Sequence, residues 1–161
     1  VVRNNRMVIQ LPGDVLFDSG KDELKKGGQD VLLQVADVVR NDSDLARRNF
    51  EVAGHTDNQK YPVGGPFHDN WGLSLARSRQ VLLFLIAPAA KVDPKTKKPV
   101  ANGKEGGGLD QKHWSASGFG DTDPIAGTME QQTKDDQAKN RRVELVIQPN
   151  VEEMINLGNI H

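Results

Sequence analysis

The sequence predicts an α/β protein, a two-layer sandwich in which helices cover one face of a mixed sheet. Short runs with period-two alternation, such as "RMVIQL" and "RVELVIQP", stand between two long runs of helical period. Their order reads β-α-β-α-β-β, and helices interleaved with strands pack as a layer on a shared sheet. A length of 161 residues suffices for one core, so a single domain spanning 1–161 is expected. It carries an inserted loop at 88–112 and a C-terminal extension at 150–161.

The first strand is Arg6–Leu11, with Met7, Ile9 and Leu11 on one side. "PGDVLFDSGKDEL" follows as a loop with turn residues at both ends, tacked down by Leu16 and Phe17. From Lys26 to Arg40, Val31, Leu32, Val35, Val38 and Val39 make a helical face. Arg48–Gly54 is the second strand. Asn70 is placed to cap a helix that runs to Ile86. The stretch Pro88–Lys112, rich in Pro, Gly and Lys, reads as the inserted loop. Leu75, Leu82, Leu83 and Ile86 lie off the main apolar stripe of the preceding helix, so Val92, Val100 or Leu109 of the insertion is expected to fold back over it. His113–Gly120 is a short strand entering a glycine turn, and "DDQAKN" forms a brief helical turn. Arg142–Pro149 is the cleanest strand, with Val143, Leu145 and Ile147 inward. "VEEMINLG" closes the chain as a short helix ending at Gly158.

Composition narrows the function classes. Lys plus Arg total 21 against 22 Asp plus Glu, a net charge of -1, which offers no global attraction to nucleic acid or an acidic membrane. No cysteine is present, so disulfides and thiolate metal sites are excluded. The longest apolar stretch, "VLLFLIAPAA", is short and broken by Pro88, and no segment reads as a signal peptide or a membrane span. The opening "VVRNNRMVIQL" reads as strand approach rather than a translation start. The chain is therefore expected to be an excised domain, with any membrane attachment lying outside it.

One residue breaks the pattern. Leu73, Val81 and Leu85 sit at helical spacing on one face, and Arg77 falls at the missing step of that ladder. A guanidinium cannot shed its proton, so it must snorkel to water, pair with an acid, or receive an anionic ligand.

The motifs "FDSGKDEL", "GHTDNQ", "NWGLSLARSRQVLLFL", "GFGDTDPI" and "NRRVELVI" occur together and in order. In this the chain resembles the C-terminal peptidoglycan-binding domain of the OmpA family, which includes the Pal lipoproteins and the flagellar stator protein MotB. The resemblance runs from Arg6 to Ile147. It implies a non-catalytic module that binds the diaminopimelate of the peptidoglycan stem peptide and anchors a larger envelope protein, on the periplasmic side, to the wall. On that resemblance Asp57 and Arg77 grip diaminopimelate. Asn70 caps the helix and reaches the ligand, Ser19 and Gly20 line the cleft, and Arg141 stands at the mouth of the last strand. The chemistry is coherent. The side-chain end of meso-diaminopimelate carries an ammonium and a carboxylate, which call for one anion and one cation a few ångströms apart. No cofactor is implied, and room is left for a homodimer. The family pattern is departed from in two places. The segment Asn58–Asp69 is long and carries Tyr61, Phe67 and His68, and the 88–112 insertion is also long.

Blander readings stand beside these. Asp57 can cap a turn, as Asx residues after a strand do. Arg77 can pair with a surface acid such as Asp57. His55, Asp57 and the His68–Asp69 pair invite a metal, but nothing fixes the spacing of three or four convergent ligands, and none is expected. "GFGDTD" and "GKEGGG" lack the setting of a phosphate loop. Lys91, Lys95, Lys97, Lys98 and Lys104 keep a loop soluble. A hydrolase built on His55, Asp57 and His113 lacks a placed nucleophile. A stator-type or protein-interaction module is the remaining alternative, which the residues upstream of Val1 would discriminate.

Overall fold

The computed structural model describes residues 2–3, 6–89, 94–96, 106–150 and 155. Its strands are β1 (Val2–Arg3), β2 (Arg6–Pro12), β3 (Phe50–His55), β4 (Trp114–Gly118) and β5 (Arg142–Ile147). The helices are α1 (Gly13–Leu16), α2 (Lys26–Asn41), α3 (Asn70–Ile86) and α4 (Lys134–Asn140), with 3-10 turns at Leu45–Arg47 and Gln111–His113. The strands lie in the order β1-β2-β5-β3-β4. β3 and β4 run parallel, and the other neighbours pair antiparallel. The sheet is therefore mixed, as the alternation of strands and helices predicts. β1, α1 and the two 3-10 turns are too short to leave a periodic signal. All of the expected C-terminal helix "VEEMINLG" but Ile155, which is helical, lies outside the described residues, as do the insertion residues Val92 and Val100 and four of the five lysines, Lys95 being the exception.

The main core lies between α2, α3 and one face of the sheet. Leu32, Ala36 and Val39 of α2 and Val81 and Leu85 of α3 meet Leu11, Phe50, Val52, Val143, Leu145 and Ile147. These alternate positions of β2, β3 and β5 point to the same side because side chains reverse at every residue of a strand. Trp114 of β4 stacks on Phe50 with centroids 4.5 Å apart. Two details differ from the periodic reading. Met7 lies near the start of β2, and Val38 turns away from the buried stripe of Leu32, Ala36 and Val39, so both are exposed.

β5 is the larger departure, because it is buried on both faces. On the side away from the main core, Val8, Ala53 and Val146 form a small second cluster with Phe119. Beside it His55 Nε2 lies 3.0 Å from Glu144 Oε1. Arg142 donates to the same oxygen from Nη2 at 2.9 Å and from Nε at 3.2 Å. Alternation alone assigns such positions to solvent. Here the segment after β4 returns across them and brings Asp123, whose carbonyl accepts from Arg142 Nη2 at 3.0 Å. Asn140, fully buried, pins this segment by accepting from the amides of Ile125 and Ala126 and donating to Ala126 O. Three hydrogen bonds satisfy a buried amide that would otherwise cost stability.

The insertion folds back, in the part described. Gly107 N donates to Phe84 O, Gly108 N to Ala87 O and Leu109 N to Leu85 O, at 2.8–3.0 Å. Arg40 donates to Gly107 O from α2. These bonds satisfy carbonyls that a helix C-terminus leaves open. Leu109 enters the main core. It does not cover the whole outer face of α3, since Leu75 and Leu83 remain exposed.

Two outcomes follow. Leu109→Ala should lower the unfolding free energy in urea by about 2–4 kcal/mol, the range for an apolar deletion in a packed core; an unchanged midpoint would show the insertion to be an appendage. Burial holds the imidazole of His55 below its ordinary value of 6.5, with Arg142 adding to this and the hydrogen bond to Glu144 opposing it. Below about pH 6.5 the unfolded chain then binds a proton that the folded chain resists. Stability should fall as pH drops from 7 toward 5, and His55→Gln should flatten that decline. Parallel pH profiles of wild type and His55→Gln would contradict it.

Candidate functional site

α3 sits unusually close to the sheet, and two glycines permit it. Gly54 and Gly118 are partners in the β3–β4 register. A Cβ at Gly54 would lie 2.2 Å from Ser74 O, and one at Gly118 would lie 2.6 Å from the side chain of Leu75. Ser74 Oγ accepts from Gly120 N at 3.0 Å and locks the contact. Arg77 leaves α3 one turn later, beside the end of β3.

There Arg77 meets the loop after α1. Its ring neighbour is Phe17, 5.0 Å from the guanidinium carbon to the centroid, within range of a cation–π contact. Arg77 Nε donates to Lys21 O at 2.8 Å and Nη2 donates to Asp18 O at 3.0 Å. The two carbonyls converge because the chain turns at Ser19–Gly20. Gly20 has φ +69° and Lys21 N donates back to Asp18 O, a conformation that favours glycine. Arg77 is 7 % exposed, and burial pulls its pKa below the ordinary value, against the attraction of Asp14 and Asp57. The guanidinium stays charged regardless. It does not pair with Asp57; its hydrogen bonds go to backbone carbonyls. The acid that the blander reading offered as its partner bonds another arginine instead.

That arginine is Arg141, at the junction of α4 and β5. Arg141 Nη1 donates to Asp57 Oδ2 at 2.8 Å, while Nε and Nη2 grip both carboxylate oxygens of Asp14 at 3.0 Å. Asp14 is drawn below the ordinary carboxylate range by this hydrogen bonding, and Arg141 is raised by Asp14 first and Asp57 second. Asp57 Oδ1 accepts from Gln59 N at 3.0 Å, so the turn-capping role also holds. Asp57 is buried, yet it faces a cleft.

The cleft, about 680 Å³, is lined by all six residues singled out from the sequence: Ser19, Gly20, Asp57, Asn70, Arg77 and Arg141. Asn70 requires a correction. Asp69 is the N-cap of α3, its carboxylate accepting from Gly72 N at 2.7 Å. Asn70 is the first helical residue and donates from Nδ2 to Gln59 O at 2.9 Å. Either residue type can cap, and the backbone decides for Asp69, which is still extended where Asn70 is already helical. The 58–69 segment forms one wall, with Tyr61 edge-on to Phe67 at 6.0 Å. Asp14 and Tyr61 are also part of the lining. Asp14 is the residue hardest to find from sequence. Its signal is the preceding Gly13, whose amide donates to Arg141 O at 2.8 Å and where a Cβ would lie 2.8 Å from that oxygen.

The other candidates part company. His113 bonds Asn49 at the surface through Nδ1, 2.9 Å away. His55 turns to Glu144, stacked on Phe119 at 4.8 Å. His55, Asp123 and Glu144 do bring ligand atoms within 4.8 Å of one another, but Arg142 already places a cation on Glu144. That donor set is built around a guanidinium and does not suit a metal ion.

A sequence profile of the OmpA family matches residues 16–141. Among curated proteins, Motility protein B of Bacillus subtilis (strain 168) is 30 % identical over 144 residues, covering 89 % of this chain and 45 % of that protein. Probable lipoprotein YiaD of Escherichia coli (strain K12) is 29 % identical over 146 residues, covering 90 % and 52 %. The chain thus spans about half the length of these curated relatives. Among solved structures, a putative MotB-like protein from Desulfovibrio vulgaris aligns with TM-score 0.71 at 26 % identity, over 93 % of this chain and 77 % of that one. The cell wall anchor of the type VI secretion system (T6SS) from Pseudomonas aeruginosa aligns with TM-score 0.62 at 28 % identity, over 90 % and 82 %. The periplasmic domain of Helicobacter pylori MotB shares the fold, with TM-score 0.71 at 20 % identity over 98 % and 85 %.

Proposed function

The chain belongs to the OmpA family, and from that premise we propose that it binds peptidoglycan without catalysis and anchors a larger envelope protein to the wall. The ligand is the diaminopimelate of the stem peptide. Asp57 receives its ammonium and Arg77 its distal carboxylate. The observation that carries this reading is the state of Arg77, a buried guanidinium whose hydrogen bonds go to uncharged carbonyls. A guanidinium has N–H groups to spare beyond these two. A charged, well-oriented donor aimed along a cleft is suited to a carboxylate.

The supporting residues act through geometry. Gly20 shapes the turn that presents the carbonyls to Arg77, and Ser19 stands beside it at the cleft edge. Asn70 ties the wall to α3 through Gln59 O. Arg141 stands at the cleft's edge and bonds Asp57 Oδ2 when no ligand cation does. The T6SS anchor from Pseudomonas aeruginosa is a cell wall anchor by its own description, and the same role is proposed here, on the periplasmic side of the envelope. Weak binding to one peptide is enough, since a polymeric wall presents many sites and retention rises with repeated contacts. Among the described residues that line the cleft, none is arranged as a nucleophile beside a base, which supports a binding role over hydrolysis.

Lysine-type stem peptides keep the ammonium but lack the carboxylate. Binding one would leave Arg77 desolvated without its partner, a loss of about 1–3 kcal/mol. The domain should sediment with diaminopimelate-type peptidoglycan and much less with the lysine type. Arg77→Ala should erase most of that preference, and Asp57→Ala should weaken retention on both, with folding checked by circular dichroism. Equal retention of the wild type on both walls would show that Arg77 is a structural residue.

A further inference from the structure

The charges of the cleft are arranged unevenly. Two acids, Asp14 and Asp57, share one arginine, Arg141, while the second arginine, Arg77, binds carbonyls alone. A zwitterion that places an ammonium at Asp57 and a carboxylate at Arg77 gives every charge one counter-charge, provided that Arg141 can give up Asp57. It can, because Asp14 holds it by two of its three bonds, both at 3.0 Å, leaving a single 2.8 Å bond to Asp57. A planar guanidinium keeps a bidentate seat more readily than a single contact.

We propose that Asp14 is a positioning residue that parks Arg141, so that the incoming ammonium can take Asp57 Oδ2 from it. Arg141 is then an internal competitor for the ligand's cation, and Asp14 sets the strength of that competition. This rests on the diaminopimelate reading above and extends it to a residue outside the proposed ligand contacts. The side chain of Asp14 is 62 % exposed and that of Arg141 is 30 % exposed, against 9 % for Asp57. Changing Asp14 therefore leaves the core untouched. Without the Asp14 carboxylate, Arg141 has Asp57 as its one acid in the cleft and holds it harder. Without Arg141, Asp57 is open to the ammonium and the effect of Asp14 through Arg141 vanishes.

The test is isothermal titration of the folded domain with a synthetic stem peptide ending in meso-diaminopimelate. Wild type, Asp14→Asn, Arg141→Gln and the double variant are compared. Asp14→Asn should weaken binding about threefold to tenfold, a coupling typical of groups in one charge network. Arg141→Gln should bind at least as tightly as wild type, and adding Asp14→Asn to it should change little. A lysine-ended peptide should lose the same factor on Asp14→Asn, because the competition concerns the ammonium. Unchanged binding by Asp14→Asn, or weaker binding by Arg141→Gln, in a domain whose wild type binds would overturn the parking role and leave the diaminopimelate reading standing. A folded wild type that binds neither peptide would overturn both.

Discussion

The site depends on a buried positive charge that the fold does not neutralise with an acid. Arg77 occupies a step of α3 that its neighbours Leu73 and Val81 mark as interior. Burying a charge is costly unless it is well hydrogen-bonded. The loop after α1 meets that demand in part, by turning at Gly20 so that the carbonyls of Asp18 and Lys21 accept from Arg77. The same loop is fixed to the core by Leu16 and Phe17, both buried. Core packing, turn conformation and cleft chemistry are thus one construction. The close contact of α3 with Gly54 and Gly118 sets where the guanidinium emerges.

Arg142, next in sequence to Arg141, shows what a fully compensated guanidinium looks like. It is buried against Glu144 and bonded to the carbonyls of Asn140 and Asp123. Its role is architectural, closing the second face of the sheet. Arg141, the C-cap of α4 just before β5 begins, reaches the cleft instead. One dipeptide thus serves two sides of the sheet. The proposal for the cleft follows from this contrast between Arg142, paired within the protein, Arg141, shared between two acids, and Arg77, which has carbonyls alone.

Much of this is legible in the residues. Periodicity carries the order of strands and helices, and the interruption of an apolar ladder marks Arg77 as a residue in need of a partner. The six residues taken from the motifs line one cleft. What periodicity cannot show is pairing across the chain. Asp57 and Arg77 fall in neighbouring motifs and invite a salt bridge, yet Asp57 bonds Arg141, 84 residues away. Asp14 lies 127 residues from the same arginine, in a segment that reads as an ordinary turn. The burial of Arg142 and Glu144 is hidden for a related reason. A strand that alternates cleanly implies one wet face, and the covering segment around Asp123 has no period of its own. Asn70 and Asp69 illustrate a finer limit, since adjacent Asx residues are equivalent caps until the chain direction into the helix is known.

The most direct measurement of the central claim is a side-chain NMR titration of the arginine Nε–H resonances with the diaminopimelate-ended stem peptide. Arg77 and Arg141 should shift together and saturate, because the ligand's carboxylate joins the first and its ammonium relieves the second of Asp57. Arg142, held behind the sheet by Glu144, should stay still. A peptide that binds while Arg77 remains unmoved would contradict the account.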